Sequence, residues 1–293
     1  MSAARSNVSA LNPEFWSAVM QVPLRKSLVA GAVANTQFEP VLVQGDTIHF
    51  PYWQELGTDD YVPGTDITGI QDVTGTDETL VVDKKKVVRF YVDDIEKMQA
   101  KYSYAMTLAE DGAYQLRDAI DKHVLLNVTG AVSALDAGDI GGTSGSAITA
   151  TSGNITDVYV QARRKMRQMN IEEAGDWISV VTPALASHIE RLATDKGFSV
   201  ADATLRQGFA GTFLGFGIYV SNNLPTAAHG GTNSDICYIG RAKQIHAVVQ
   251  KAPSMTIREA EKRLGRYFYP NTVYGAKVFE KHKRRFLKVP IRI

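Results

Sequence analysis

Four residue patterns in this chain could do chemistry, and each must meet the spacing that its chemistry requires. The glycine-rich run GFAGTFLGFG at 208–217 resembles a phosphate-cradling loop, in which glycines let backbone N–H groups approach an anion at a helix N-terminus. Its glycines miss the dinucleotide spacing, no Lys-Ser or Lys-Thr follows, and GIYV continues as a strand. The six histidines, His49, His123, His188, His229, His246 and His282, contain no HxH or HExxH pair that would put two ring nitrogens on one metal. Ser187 and His188 are neighbours on a helical pattern, where adjacent side chains diverge, and no GxSxG elbow presents a nucleophile. The carboxylate pairs Asp59-Asp60, Asp93-Asp94 and Glu172-Glu173 fall in turns or at helix starts, where solvation and capping account for them. No enzyme, cofactor or metal site is expected.

Composition excludes further classes. With 293 residues, 44% hydrophobic and 22% charged, the chain is long enough for one large or two medium globular domains. A formal charge of +1 gives no global field for nucleic acid or an anionic membrane, so partners must be sought in local charge. The single Cys237 rules out an intrachain disulfide and a multi-cysteine zinc site, and suits a reducing compartment and a buried apolar role. No secretory h-region or run of about 18 apolar residues appears, so neither secretion nor membrane spanning is expected. The three-residue sequons at Asn7, Asn127 and Asn154 therefore carry no weight.

The longest element is the stretch Asp93 to Thr129. Asp93 and Glu96 have capping-box spacing, and Ile95, Met98, Tyr102, Ala105, Leu108, Leu116, Ile120 and Leu126 recur at helical period. Such a helix would be roughly 50 Å long, more than a compact domain needs for its own core. Gly112 is its weak point, a place for a kink or a close approach.

Before it, residues 36–92 read as two strand-rich runs, TQFEPVLVQGDTIHFPYW and ETLVVDKKKVVRFYVDD, flanking a tip of turn chemistry that includes Pro63-Gly64. An arm with about 25 residues each way could reach roughly 80 Å, overhanging its body, and a two-stranded ribbon needs another surface to lie on. A neighbouring subunit is the simplest such surface. From Glu55 to Asp83 the arm holds eight acids, among them Asp59, Asp60, Asp66 and Asp72 around Tyr61, and no Lys or Arg; Lys84, Lys85, Lys86 and Arg89 follow. Two readings stay open: solvated charge that blocks edge pairing, or an acidic tip that mates with a basic patch on a partner. The basic candidates are Arg163, Arg164, Lys165 and Arg167, or Lys281, Lys283, Arg284 and Arg285.

Residues 1–12 read as an exposed arm, and Pro13 opens a short helix with Phe15, Trp16, Val19 and Met20 on one face, either an anchor or a first core helix. After the long helix, 130–154 is rich in Gly, Ser, Ala and Thr and reads as a flexible surface loop. A helix follows with Ile155, Val158, Tyr159, Ala162 and Met166 inward; DWISVVT at 176–182 reads as a buried strand, and Thr182-Pro183 starts another helix. Short strands and Gly, Asn and Pro turns fill the remainder, ending in RRFLKVPIRI. The fold class is mixed α+β without a regular strand-helix repeat.

The order of these parts, with the phrases GDTIHFP, KKVVRFYVDDIEKMQA, AIDKHVL, VVTPAL, LGFGIYVSNNLP and YGAKVF, resembles the major capsid proteins of tailed bacteriophages, whose Hong Kong 97-type fold also occurs in encapsulins. The resemblance implies an N-terminal arm at 1–40, an extended loop at 41–92, a peripheral domain with its spine helix at 93–175, an axial domain at 176–255, and return strands to the peripheral domain at 256–293. It implies a structural, non-enzymatic protein that self-assembles as hexamers and pentamers into an icosahedral shell around double-stranded DNA. Scaffolding and portal proteins, and a decoration protein, are the further partners it suggests, with assembly in the host bacterial cytoplasm and no membrane. Gly57, Gly75 and Gly112 are its hinge candidates, and Lys84 to Lys86, Arg163, Arg164, Arg167 and the acidic tip its contact candidates. An encapsulin-like compartment is the alternative within the fold; a soluble α+β enzyme or ligand-binding protein is the alternative outside it.

Overall fold

The computed structural model describes residues 25–26, 28–40, 42, 44–53, 56–58, 60, 62–64, 66, 69, 71–99, 104–171, 176–195 and 209–292. Expectations about the helix at Pro13, about Asp59 and about Tyr61 fall outside them. In chain order the elements are α1 (Ala30–Val33), β1 (Ala34–Asn35), β2 (Thr47–Trp53), β3 (Gly75–Val81), β4 (Lys84–Val87), β5 (Phe90–Asp93), α2 (Asp94–Gln99) and α3 (Tyr104–Leu126). There follow β6 (Ser133–Ala134), β7 (Ile148–Thr149), α4 (Ile155–Gln168), β8 (Trp177–Val181), α5 (Pro183–Asp195), β9 (Phe209–Phe213) and β10 (Phe216–Val220). The last are β11 (Thr226–His229), β12 (Thr232–Arg241), β13 (Ile245–Glu259), β14 (Gly265–Lys277), α6 (Glu280–Lys283) and β15 (Phe286–Arg292).

Two sheets carry the body. The smaller runs β1-β13-β14-β4, with β5 also on β14, and α3 lies across it. Tyr274 of β14 donates its hydroxyl to the Ala119 carbonyl of α3 at 3.2 Å, and His123 meets the Tyr274 ring edge-on. The expected cap at Asp93 is present, its carboxylate accepting the Ile95 N–H at 2.8 Å. Gly112 lies within a continuous helix, and a Cβ there would come 3.0 Å from Pro270 of β14; of its two expected roles, the close approach is the one observed.

The larger sheet runs β6-β15-β12-β8-β10-β9, with β7 on β15 and β11 on β12. β8 is buried along its whole length because it lies between parallel β10 and antiparallel β12. The helix α4 turns Ile155, Val158, Tyr159, Ala162 and Met166 inward, and the Tyr159 hydroxyl meets the Ser179 hydroxyl of β8 at 3.0 Å. α5 adds Leu185, Ala186, Ile189 and Leu192 to the same core.

Three expectations change. The 130–154 segment contributes to the core: Ala131, Leu135 and Ile148 are buried, β6 and β7 pair with β15, and Asp136 and Asp139 cap a 3-10 turn at 137–140. Its small residues let it pack closely between neighbours, a role that composition alone cannot separate from flexibility. The closing segment divides: β14 belongs to the smaller sheet, whereas β15 pairs with β12 in the larger one. Finally, the arm does not project 25 residues each way. Among the described residues the arm pairs only through β2 and β3, in register Thr47↔Val81 to Trp53↔Gly75, and the return run breaks at Val82–Asp83 so that β4 and β5 join the body.

Candidate assembly surfaces

The paired part of the arm, about 20 Å long, leans on the body through its root. Leu80, Val82, Leu42, Val248 and Phe279 form a small buried cluster separate from the main core, with Phe38, Ile48 and Phe50 packed against it. The Phe50 ring lies 4.5 Å from both Phe38 and Phe279. Glu78 accepts the Glu280 N–H, and Lys277 donates to the Thr79 carbonyl at 2.7 Å. The crossing from arm to body depends on Gly275 in β14, where a Cβ would come 2.4 Å from the Val81 carbonyl oxygen. A side chain at that position would push the two strands apart.

The structure sorts the acids of the arm. His49 pairs with Asp77, Glu78 is taken by α6, and Asp83 binds Lys84 at 2.6 Å, which holds its carboxyl below the usual range. These serve the fold of one chain. Asp60, Asp66 and Asp72 stand exposed on the tip, beside exposed Leu56, Val62 and Val73. Gly57 in that tip is bound through both backbone groups to the Gln71 side chain, at 2.9 and 3.3 Å, and Gly75 opens β3 in open space.

The basic candidates separate as well. Lys84, Lys85 and Lys86 lie in β4 opposite Tyr274, Val273 and Thr272, with Lys85 and Lys86 exposed. Arg163, Arg164 and Arg167 border a shallow surface of α4 with Val160 and Gln168; the Arg163 guanidinium lies 5.6 Å over the Trp177 ring. Elsewhere Lys281, Arg284 and Arg285 gather with Arg241 around a cleft of about 880 Å³ whose other walls include Tyr52, Trp53 and the residues that follow α4, Met169, Asn170 and Ile171. Lys281 lies 5.6 Å over the Tyr52 ring, and Trp53 is 69% exposed. Arg241, Tyr52 and Trp53 were not among the expected site residues. A large aromatic beside turn residues at the end of a strand was the available signal for Trp53; nothing in the sequence linked Arg241 to the 281–285 cluster.

A second polar node ties the N-terminal segment to the body. Asp121 of α3 accepts the Val29 and Ala30 N–H groups at 2.9 and 2.7 Å, and Asn223 donates to both Asp121 and Asp118. Burial raises the Asp121 carboxyl despite these bonds; at Asp118 burial acts the same way, but hydrogen bonds from Lys122 and Asn223 outweigh it and hold that carboxyl below the usual range.

The sites rejected for chemistry have structural explanations. Gly211, Gly215 and Gly217 of this run lie in the β9–β10 hairpin, with Leu214 and Gly215 both at positive φ, +48° and +85°, as a two-residue mirror-image turn requires. Cys237 is buried in β12, its thiol pushed up to about 12 by burial. Among the described residues, no helix is long and apolar enough to cross a membrane, and no three His, Cys, Asp or Glu side chains gather as metal ligands.

A family model described as phage capsid protein matches residues 76–280. No curated protein matches the chain. Among solved structures, the fold is similar to a chain from Mycobacterium phage Che8, 21% identical over 98% of each chain with a TM-score of 0.77. It is also similar to the capsid of the cyanophage P-SCSP1u, 16% identical over 99% of this chain and 95% of that one, TM-score 0.69. The mature capsid of bacteriophage PhiM1 is 15% identical over 96% and 91%, TM-score 0.68.

Proposed function

Because the chain belongs to the phage capsid protein family, it is a shell-forming structural protein of a phage with the Hong Kong 97-type fold, and we propose that it closes an icosahedral wall from hexamers and pentamers of itself. In this reading the smaller sheet with α3 is the peripheral domain and the larger sheet with α4 and α5 the axial one. The observation that supports the contact scheme is that one chain carries both an exposed acidic and apolar arm tip and a cleft bordered by four cations on the body. The tip of one subunit seats in the cleft of the next, Asp60, Asp66 and Asp72 facing Lys281, Arg284 and Arg285, and Trp53 supplying an aromatic anchor. The Arg163, Arg164 and Arg167 surface of α4 is the second candidate receiver.

A net charge of +1 suits an inner face that contains DNA by enclosure, with sequence-independent and weak contact. The subunit needs no catalytic step; scaffolding and portal proteins, with or without a decoration protein, complete assembly in the host bacterial cytoplasm. The test is charge exchange. Reversing Lys281, Arg284 and Arg285 to Glu abolishes shells in negative-stain images, and reversing Asp60, Asp66 and Asp72 to Lys in the same chain restores them. Normal shells from the cleft reversal alone overturn this contact scheme, and normal shells with lost DNA assign the cleft to nucleic acid instead.

A further inference from the structure

Beneath the root of the arm lies a titratable pair that the shell contacts do not use. His246 of β13 is only 4% exposed, and its ring centre is 4.7 Å from that of His282, just past the start of α6, with the rings edge to face. Phe279 at 4.6 Å and Phe38 at 5.4 Å enclose His246, and Phe50 of β2 closes the group at 6.4 Å. Both ring nitrogens of His246 and Nδ1 of His282 are buried without a protein hydrogen-bond partner. The pair lines a cavity of about 180 Å³ whose arm-side wall is Phe50, Pro51 and Tyr52.

We propose that His246 and His282 form an acid-sensitive latch, which holds the root of the β2–β3 arm on the body while both imidazoles are neutral and releases it when they are protonated. A neutral imidazole fits an aromatic pocket; a charged one with no acceptor must reach water. The wall that can yield is the arm, a two-stranded ribbon with little stability of its own.

The surrounding charges favour release. Arg285, Lys281 and Lys277 face the group from the body and Glu78 from the arm, where it is already bound to the Glu280 N–H. Glu280 pairs with Lys283 and His49 with Asp77, while Glu39 beside Phe38 is exposed. Among the described residues, Glu78 is the carboxylate that lines the cavity, and it is already engaged by the Glu280 N–H. Burial, then Arg285, lowers His246 to about 4; burial, then His246 and Arg285, lowers His282 to about 4. Because the folded values lie below the ordinary 6.5, the native state binds fewer protons in this window. The latch is therefore at full strength above about pH 6.5 and weakens as pH falls towards about 4.

The latch belongs to the single subunit, so it is tested apart from shell assembly. Hydrogen exchange on the full unassembled chain, corrected for intrinsic rates, reads protection at Thr47–Trp53 and Gly75–Val81. Protection there falls at least about tenfold from about pH 7 to about pH 4.5 in the wild type, while β12 stays protected. The double variant His246→Phe, His282→Phe retains arm protection at the lower pH. An equal loss in the variant, or simultaneous loss in β12, overturns the proposal. If the variant does not fold, imidazole titration of the wild type by NMR decides: midpoints below about 5 for both rings support the latch, and midpoints near the ordinary value overturn it.

Discussion

Asp121 joins segments almost a hundred residues apart: the 29–30 backbone, the long helix α3 and Asn223. Replacing it with Ala strands two buried backbone donors and one amide donor, so Asp121→Ala lowers stability by about 3 kcal/mol in denaturant unfolding. Asp121→Asn keeps one acceptor and costs less. Gly275 is a different case, since the constraint there is space. Gly275→Ala sets a methyl 2.4 Å from the Val81 oxygen and costs about 3 kcal/mol by overpacking, with lost exchange protection at Val81 and Val82. Neither residue declared its role in the sequence. Asp121 read as one charge on the polar side of a helical pattern, and Gly275 as one glycine among several in a strand-rich stretch, because the partners of both lie far away in the chain.

Elements whose own periodicity decides them were legible. The inward face of α4, the buried strand β8 and the Pro183 start of α5 appear where spacing and capping placed them. What spacing does not encode is which strand pairs with which. The break at Val82–Asp83 sits inside a strand-forming run, where apolar residues give way to Asp83 and three lysines, and the competition between β2 and β14 for its two halves determines it. The arm therefore has two parts: the paired strands hold to the body through Leu80 and Val82, and the tip between them carries the exposed acids that the proposed contact uses. Replacing residues 56–73 by a short turn leaves β2, β3 and Leu80 in place, so the subunit keeps its unfolding free energy within about 0.5 kcal/mol while shells disappear from sedimentation profiles. Leu80→Ala does the reverse, costing about 3 kcal/mol through the root cluster.

For the molecule as a whole, the two-sheet body with an arm across its edge suits a plate that must be rigid within itself and overlap others at its rim. Contacts that build a lasting wall bury about 1,000 Å² or more each, and in the proposed contact scheme the cleft is the pocket at the centre of one of them. Screening follows from the charges involved: raising salt to about 1 M shortens the Debye length to about 3 Å, so assembly rates of the purified subunit fall with salt more steeply than its thermal stability does. The acidic run from Glu55 to Asp83 was readable from the start, but its division into acids used within the chain and acids left outward became visible only once α6 and β4 were placed beside it.

The late strand β15 has a consequence for the timing of synthesis. It pairs with β12, β6 and β7 within the larger sheet, and Phe286, Leu287, Val289 and Ile291 complete the main core. A chain still on the ribosome cannot finish that sheet until residues 286–292 have emerged, however early its arm and long helix form. Nascent chains clustered on one message thus lack a finished larger sheet to offer one another until that strand has emerged.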